Sequence, residues 1–322
     1  MIVVIMSQIS YPSSLSQVAS KLVGVNRNKF KVECNSSTTA SAGRVISAYL
    51  PSSSIIDLKS IKLYGKVHTN GISSADNPAG NAIHTKMPAN IASIFSKMEV
   101  FVNGILVSGG SLQEYGTAFN LLKNVRCSKT KDISIDRALM NSNPKDNDAN
   151  DGFRFVLCDF LGILNECSSR MLDSALLGNI MIRLTCADNN VLSPKEVSVD
   201  FDDAPNAVAS RISYELRDLH FSCETVSVND GVYDALLREK IQKDGKLVYN
   251  YKDYHSSIQD SISTQQGSMK TNISVQSLDK VYMTMRNSDY VATGQPAHKF
   301  VDTPLHSEYV PNAYRFKSFQ QG

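Results

Sequence analysis

The amino-acid sequence predicts an all-β chain of two β-barrels in tandem, with a few short helices. Three observations carry that reading. Apolar residues recur at every second position over short runs, the period of a pleated strand with one buried face. Loops punctuated by Gly, Asn and Pro separate the runs, and strands do not alternate with helices as a parallel sheet would require. One strand-like segment also has an echo in the other half of the chain. At 322 residues there is room for about two domains, with a core that needs no disulfide or metal support.

The first six residues are apolar, but they lack a basic flank and are too short for a signal sequence or a membrane span. Residues 13–25 place Leu15, Val18 and Leu22 on one helical face behind Ser13 or Ser14, with Gly24 as the stop. This predicts a short amphipathic arm that faces a neighbouring subunit or an interior surface, with Lys21 at its edge available to anionic headgroups. Strands are expected at 30–34, 45–50, 55–67, 98–107, 153–160 and 180–186, then at 212–226, 246–251, 269–275 and 278–285. Residues 111–125 read as a helix opening on a capping box, Ser111 with Glu114, and residues 230–241 read as a second helix. The longest loops fall at 65–90 and 128–152, on the surface.

The echo links residues 57–63, Asp-Leu-Lys-Ser-Ile-Lys-Leu, to residues 215–221, Glu-Leu-Arg-Asp-Leu-His-Phe. Both copies break the period of two at the same place: apolar residues fall at 56, 58, 61 and 63, and at 214, 216, 219 and 221. A β-bulge causes such a slip, so each strand is expected to carry one. Leu58, Ile61, Leu63, Leu216, Leu219 and Phe221 are then candidate core residues of equivalent strands. A weaker echo of 97–102 in 280–285 follows in the same order. The expected organisation is an arm at 1–28, a first barrel at 29–192 and a second at 193–322, joined near Ser193-Pro194.

Two stretches carry a family resemblance. The first is Lys97-Met98-Glu99-Val100-Phe101-Val102-Asn103-Gly104, followed by a helix with Glu114-Tyr115 and Leu121-Leu122 and then the strands at 153–160 and 177–186. The second comprises 212–226, a short helix, 246–255, and 277–286. In order and pattern they resemble the double jelly-roll major capsid proteins of tailless icosahedral viruses. In size the chain is similar to the small members from membrane-containing bacteriophages, such as the lipid-containing phage of Flavobacterium. The resemblance implies two tandem jelly rolls and a homotrimer that tiles a virion shell, with minor capsid and penton proteins as neighbours and a lipid membrane beneath. It also implies assembly in the host cytoplasm.

The chemistry of the chain points the same way. Lys and Arg number 33 against 31 Asp and Glu, which leaves no cationic footprint for specific nucleic-acid binding. Six scattered cysteines (Cys34, Cys127, Cys158, Cys167, Cys186, Cys223) include no Cys-x-x-Cys pair and are expected to be reduced, those at 158, 186 and 223 as small core hydrophobes. No G-x-S-x-G, H-E-x-x-H, P-loop or G-x-G-x-x-G is present, so no enzyme and no cofactor are expected. Asp146 to Asp151 alternates oxygen ligands like the start of a calcium loop, but its Gly comes one place late and Leu157 stands where the closing Glu belongs, so no metal is expected. The alternative reading is a two-domain lectin or adhesin. Against it, the chain has no Trp, and its two longest loops hold neither Tyr nor Phe to stack on a sugar.

Overall fold

A computed structural model describes residues 2–6, 25–70, 83–86, 91–126, 153–196, 213–228, 231–258, 271, 273, 275 and 277–283. Two antiparallel sheets form its main body. Sheet one contains β2 (Val25–Glu33), β3 (Ala40–Ser41), β5 (Ile55–Asn70), β9 (Phe153–Leu157), β10 (Met171–Asp173) and β13 (Ser213–Val228). Its column order is β2, β13, β5 and then β9, with β3 continuing the β2 edge and β10 continuing the β9 edge. Sheet two runs β4 (Val45–Tyr49), β11 (Ile180–Cys186), β7 (Phe95–Val102), β8 (Ile105–Ser108). The chain alternates between the sheets, so β4 and β5, or β8 and β9, are neighbours in sequence but not in pairing. Counted as columns, four in each sheet, the strands make a jelly roll in this order, and the expected all-β class holds.

Alternation explains the core. Ile46 and Ala48 of β4, Met98 and Val100 of β7, and Ile182 and Leu184 of β11 face inward from sheet two. Ile61, Leu63 and Val67 of β5 meet them from sheet one, with Leu216, Leu219 and Phe221 of β13. Each Val, Ile, Leu, Met or Phe among them contributes on the order of 1.5–3 kcal/mol by leaving water. All six apolar residues of the echoed segments, Leu58 included, are buried in this one cluster.

Both expected bulges are present. On β13 the register moves from Arg217↔Lys66 to His220↔Tyr64, which places one extra residue on β13, and Asp218 takes a left-handed φ of 54°. On β5 the shift falls between Asp57 and Lys62, where the Ser60 hydroxyl accepts from the Glu224 N–H. Gly65 shows why the first bulge fits: a Cβ there would lie 2.8 Å from the Leu219 side chain and 2.8 Å from Phe155. The bulge turns Leu219 inward into the space that glycine leaves.

The organisation differs from the expectation in one main respect. Segments 57–63 and 215–221 are not equivalent strands of two barrels; they lie in adjacent antiparallel strands of one sheet, Leu63 opposite Phe221. The first barrel therefore runs through Val228 instead of ending at 192. Ser193-Pro194 is likewise no linker, because β12 (Ser193–Glu196) pairs with β6 (Ile83–Lys86). The echo arose because two neighbouring strands with one buried face and one bulge each need the same pattern of residues.

Smaller corrections have local causes. The run at 98–107 is a hairpin, β7 and β8, turned by Asn103 (φ 49°) and Gly104 (φ 78°), the pair of left-handed residues that suits the strand twist. Helix α1 (Tyr115–Arg126) starts four residues later than expected, and the Ser111 capping box does not form. The Ser111 carbonyl instead accepts from the Ser256 N–H, and the Glu114 carbonyl receives the Ala118 N–H. Helix α2 (Gly231–Asp244) extends the expected 230–241 and ends on Gly245, whose N–H caps the Ile241 carbonyl. Residues 246–251 form no strand beyond a single bridge between Tyr251 and Cys167; the strand there is β14 (Asp253–Ser257).

Beyond the barrel lies a separate three-stranded sheet in the order β14, β1 (Ile2–Met6), β15 (Leu278–Met283). Residues 2–6 of the expected arm are thus a strand, and 25–28 belong to β2. Leu15, Val18, Lys21 and Leu22 lie outside the described residues, as do Asp146 to Asp151 and most of 269–275.

Candidate functional site

The two sheets present outer faces of opposite character. On sheet two, register aligns Tyr49 of β4, Met181 of β11, Phe101 of β7 and Leu106 of β8 in a row across all four strands. Tyr49 is 48% exposed and Leu106 42%, with Met181 and Phe101 half-buried between them. Val45 adds an exposed side chain at the β4 edge. Contiguous apolar side chains on a rigid sheet face are the usual mark of a contact surface.

Beside this row, Glu99 lies opposite Arg183 and is 3% exposed. Its carboxylate accepts from Arg183 Nε at 2.7 Å and lies 2.7 Å from Lys97 Nζ. Burial pushes the Glu99 carboxyl up, but the hydrogen bonds and charges of Lys97 and Arg183 outweigh it and hold the group below the ordinary glutamate value. The Arg183 guanidinium also lies 4.6 Å over the Phe101 ring, joining the ion cluster to the apolar row. A partner can cover this face without leaving its carboxylate unpaired.

Sheet one faces outward with Lys62, Lys66, Arg154, Arg217, Glu33 and Glu215. Tyr64 stacks on His220 at 5.3 Å between ring centres, and Lys66 pairs with Asp218 at 3.1 Å. The fully buried carboxylate of Asp57 receives a two-pronged set of bonds from Arg170 at 2.6–3.0 Å, with Arg27 further off at 3.8 Å. This ties β10 to β5 at the bulge.

The other sequence candidates disperse. Cys186 and Cys223 are core thiols as expected, and burial pushes them up to about 12 and about 11; Cys158 is only half-buried. Among the described residues no group of His, Cys, Asp and Glu is arranged to hold a metal, and no helix is long and apolar enough to cross a membrane. Sequence reading missed the Tyr49 row. The available signal was apolar residues at outward positions of alternating strands, Tyr49 after Ser47 and Phe101 after Glu99.

No protein-family model matches the chain, and no curated protein matches it. Among solved structures it is similar to "PBCV-1 virus capsid, quasi-atomic model", at 12% identity and a TM-score of 0.42, over 71% of this chain and 46% of that one. It is similar to the same extent to "Crystal structure of PBCV-1 VP54 fitted into a cryo-EM reconstruction of the virophage Sputnik". The chain spans less than half the length of these structures.

Proposed function

We propose that the chain is a structural subunit of a virion shell, a major capsid protein of jelly-roll type with no catalytic role. The observation that carries this reading is the Tyr49–Met181–Phe101–Leu106 row. It sets an apolar surface across a four-stranded sheet, where a second copy can pack against it repeatedly. The family resemblance extends the reading to a homotrimer, a second barrel built around the β14–β1–β15 sheet, and a shell over an internal membrane in a tailless bacteriophage. Permanent contacts of this kind bury more than about 2,000 Å² and are depleted in charge at their centres, as the row is. Sedimentation and negative-stain microscopy of the purified chain test the reading. Closed trimers with a pseudo-hexagonal outline are expected; a species that stays monomeric at high concentration overturns it.

A further inference from the structure

We propose that strand β1 is exchanged between copies of this chain, each copy supplying Ile2–Met6 to the β14–β15 slot of a neighbour. The strand order carries the argument. β1 is the central strand of its sheet: Ile2 to Met6 pair with Ser257 to Asp253 on one side and with Met283 to Leu278 on the other. The middle strand thus comes from the opposite end of the sequence to both of its partners. Without it, β14 and β15 face each other across an empty strand position, each with an open edge.

The β14 side of the slot is tied to the barrel. Asp253 accepts from the buried Ser108 hydroxyl at 2.9 Å and from the Gly109 N–H at 3.3 Å. The Ser256 hydroxyl accepts from the Gln113 N–H at 2.7 Å, and the Tyr254 hydroxyl donates to Glu166. These contacts fasten β14 to the barrel independently of β1, and Lys252, next to β14, pairs with Asp279 of β15 at 2.7 Å.

Residues 7–24 join β1 to β2. Fully extended, they reach about 60 Å, at roughly 3.3 Å per residue. A barrel of this size has a radius of gyration near 16 Å, so on the order of 40 Å separates its opposite surfaces, and the tether reaches past one subunit to the next. The main-chain bonds of β1 are the same whichever copy supplies it. Effective concentration then decides between the two, and close packing of copies raises the exchanged form. The apolar, β-branched sequence Ile-Val-Val-Ile suits a strand that must pair on both edges.

The test uses the full chain in two forms of distinguishable mass, co-expressed. One carries Val4→Cys and the other Val281→Cys, positions that face each other across β1 and β15. Mild oxidation of the associated fraction should yield a covalent dimer with one chain of each mass, and the unsubstituted chain gives the background from native thiols. A second pair, Met6→Cys with Leu278→Cys, guards against local damage, because Leu278 is largely exposed. The proposal is overturned if chains carrying both cysteines close only within themselves while the mixed pair gives no heterodimer. It is equally overturned if neither arrangement forms a crosslink. It rests on strand order and not on the capsid reading: chains that exchange strands yet form no trimer or shell would keep this proposal and sink the other.

Discussion

The two sheets of the barrel share one core and one kind of strand, yet their outer faces have opposite character. Sheet two shows an apolar row with its carboxylate held by two cations at short range. Sheet one shows alternating charges, and its fully buried Asp57 is held chiefly by Arg170. The inner residues of both sheets therefore report on folding, and only the outer residues distinguish an apolar face from a charged one.

The largest effect should come from charging the apolar row. Tyr49→Arg with Leu106→Arg is expected to weaken self-association at least about 100-fold, since central aromatic and aliphatic anchors commonly carry more than about 2 kcal/mol each. The melting temperature should change little, because both side chains are already half in water. Lys62→Glu on the other sheet should leave association within about tenfold, the range expected of a rim charge. Sedimentation equilibrium measures both variants, and equal losses from both faces would erase the contrast.

Next in size are the two carboxylates. Arg170→Ala leaves Asp57 buried with only the Lys59 N–H and the more distant Arg27, and about 3 kcal/mol of stability should be lost in urea unfolding. Arg183→Ala should cost less, about 1 kcal/mol, because Lys97 still holds Glu99 and the Arg183 side chain is part-exposed. The reverse order would mean that the cation–π contact with Phe101 outweighs the burial of Asp57.

The pH response sharpens the same comparison. The Glu99 carboxyl lies below its ordinary value of 4.5 when folded, so its contribution is complete above that pH and is lost as pH falls through the lower folded value. Glu99→Gln should therefore flatten the acid limb of stability against pH, measured by thermal melts between pH 3 and 6. An unchanged limb would show that Glu99 is not part of it. Smallest of all, Lys31→Ala removes an exposed pair with Glu33 and should leave the melting temperature within error.

Local signals in the sequence were legible where local physics decides the outcome. The run 180–186 is β11 residue for residue, and the phase slips at 58–61 and 216–219 are real bulges. What could not be read was partnership. Nothing within 215–221 states that its neighbour is β5, so an echo between adjacent strands passed for a duplicated barrel. The Tyr49 row was hidden for the same reason, since its four members come from four strands and only register aligns them. The five-residue β1 was missed because a short apolar run fits several roles, and its partners lie some 250 residues away.

The place of β13 bears on how the chain comes off the ribosome. β13 sits between β2 and β5, both complete by residue 70, and β13 itself ends at residue 228. At about 5–20 residues per second, roughly 8 to 30 s pass between the completion of β5 and that of the strand that fills the gap. For that interval the nascent chain holds two unpaired edges, one of them sixteen residues long. Lys59, Lys62 and Lys66 along β5, and Lys29 and Lys31 along β2, put like charges on those edges. They act as gatekeepers, keeping neighbouring nascent chains on a polysome from pairing edge to edge before β13 arrives.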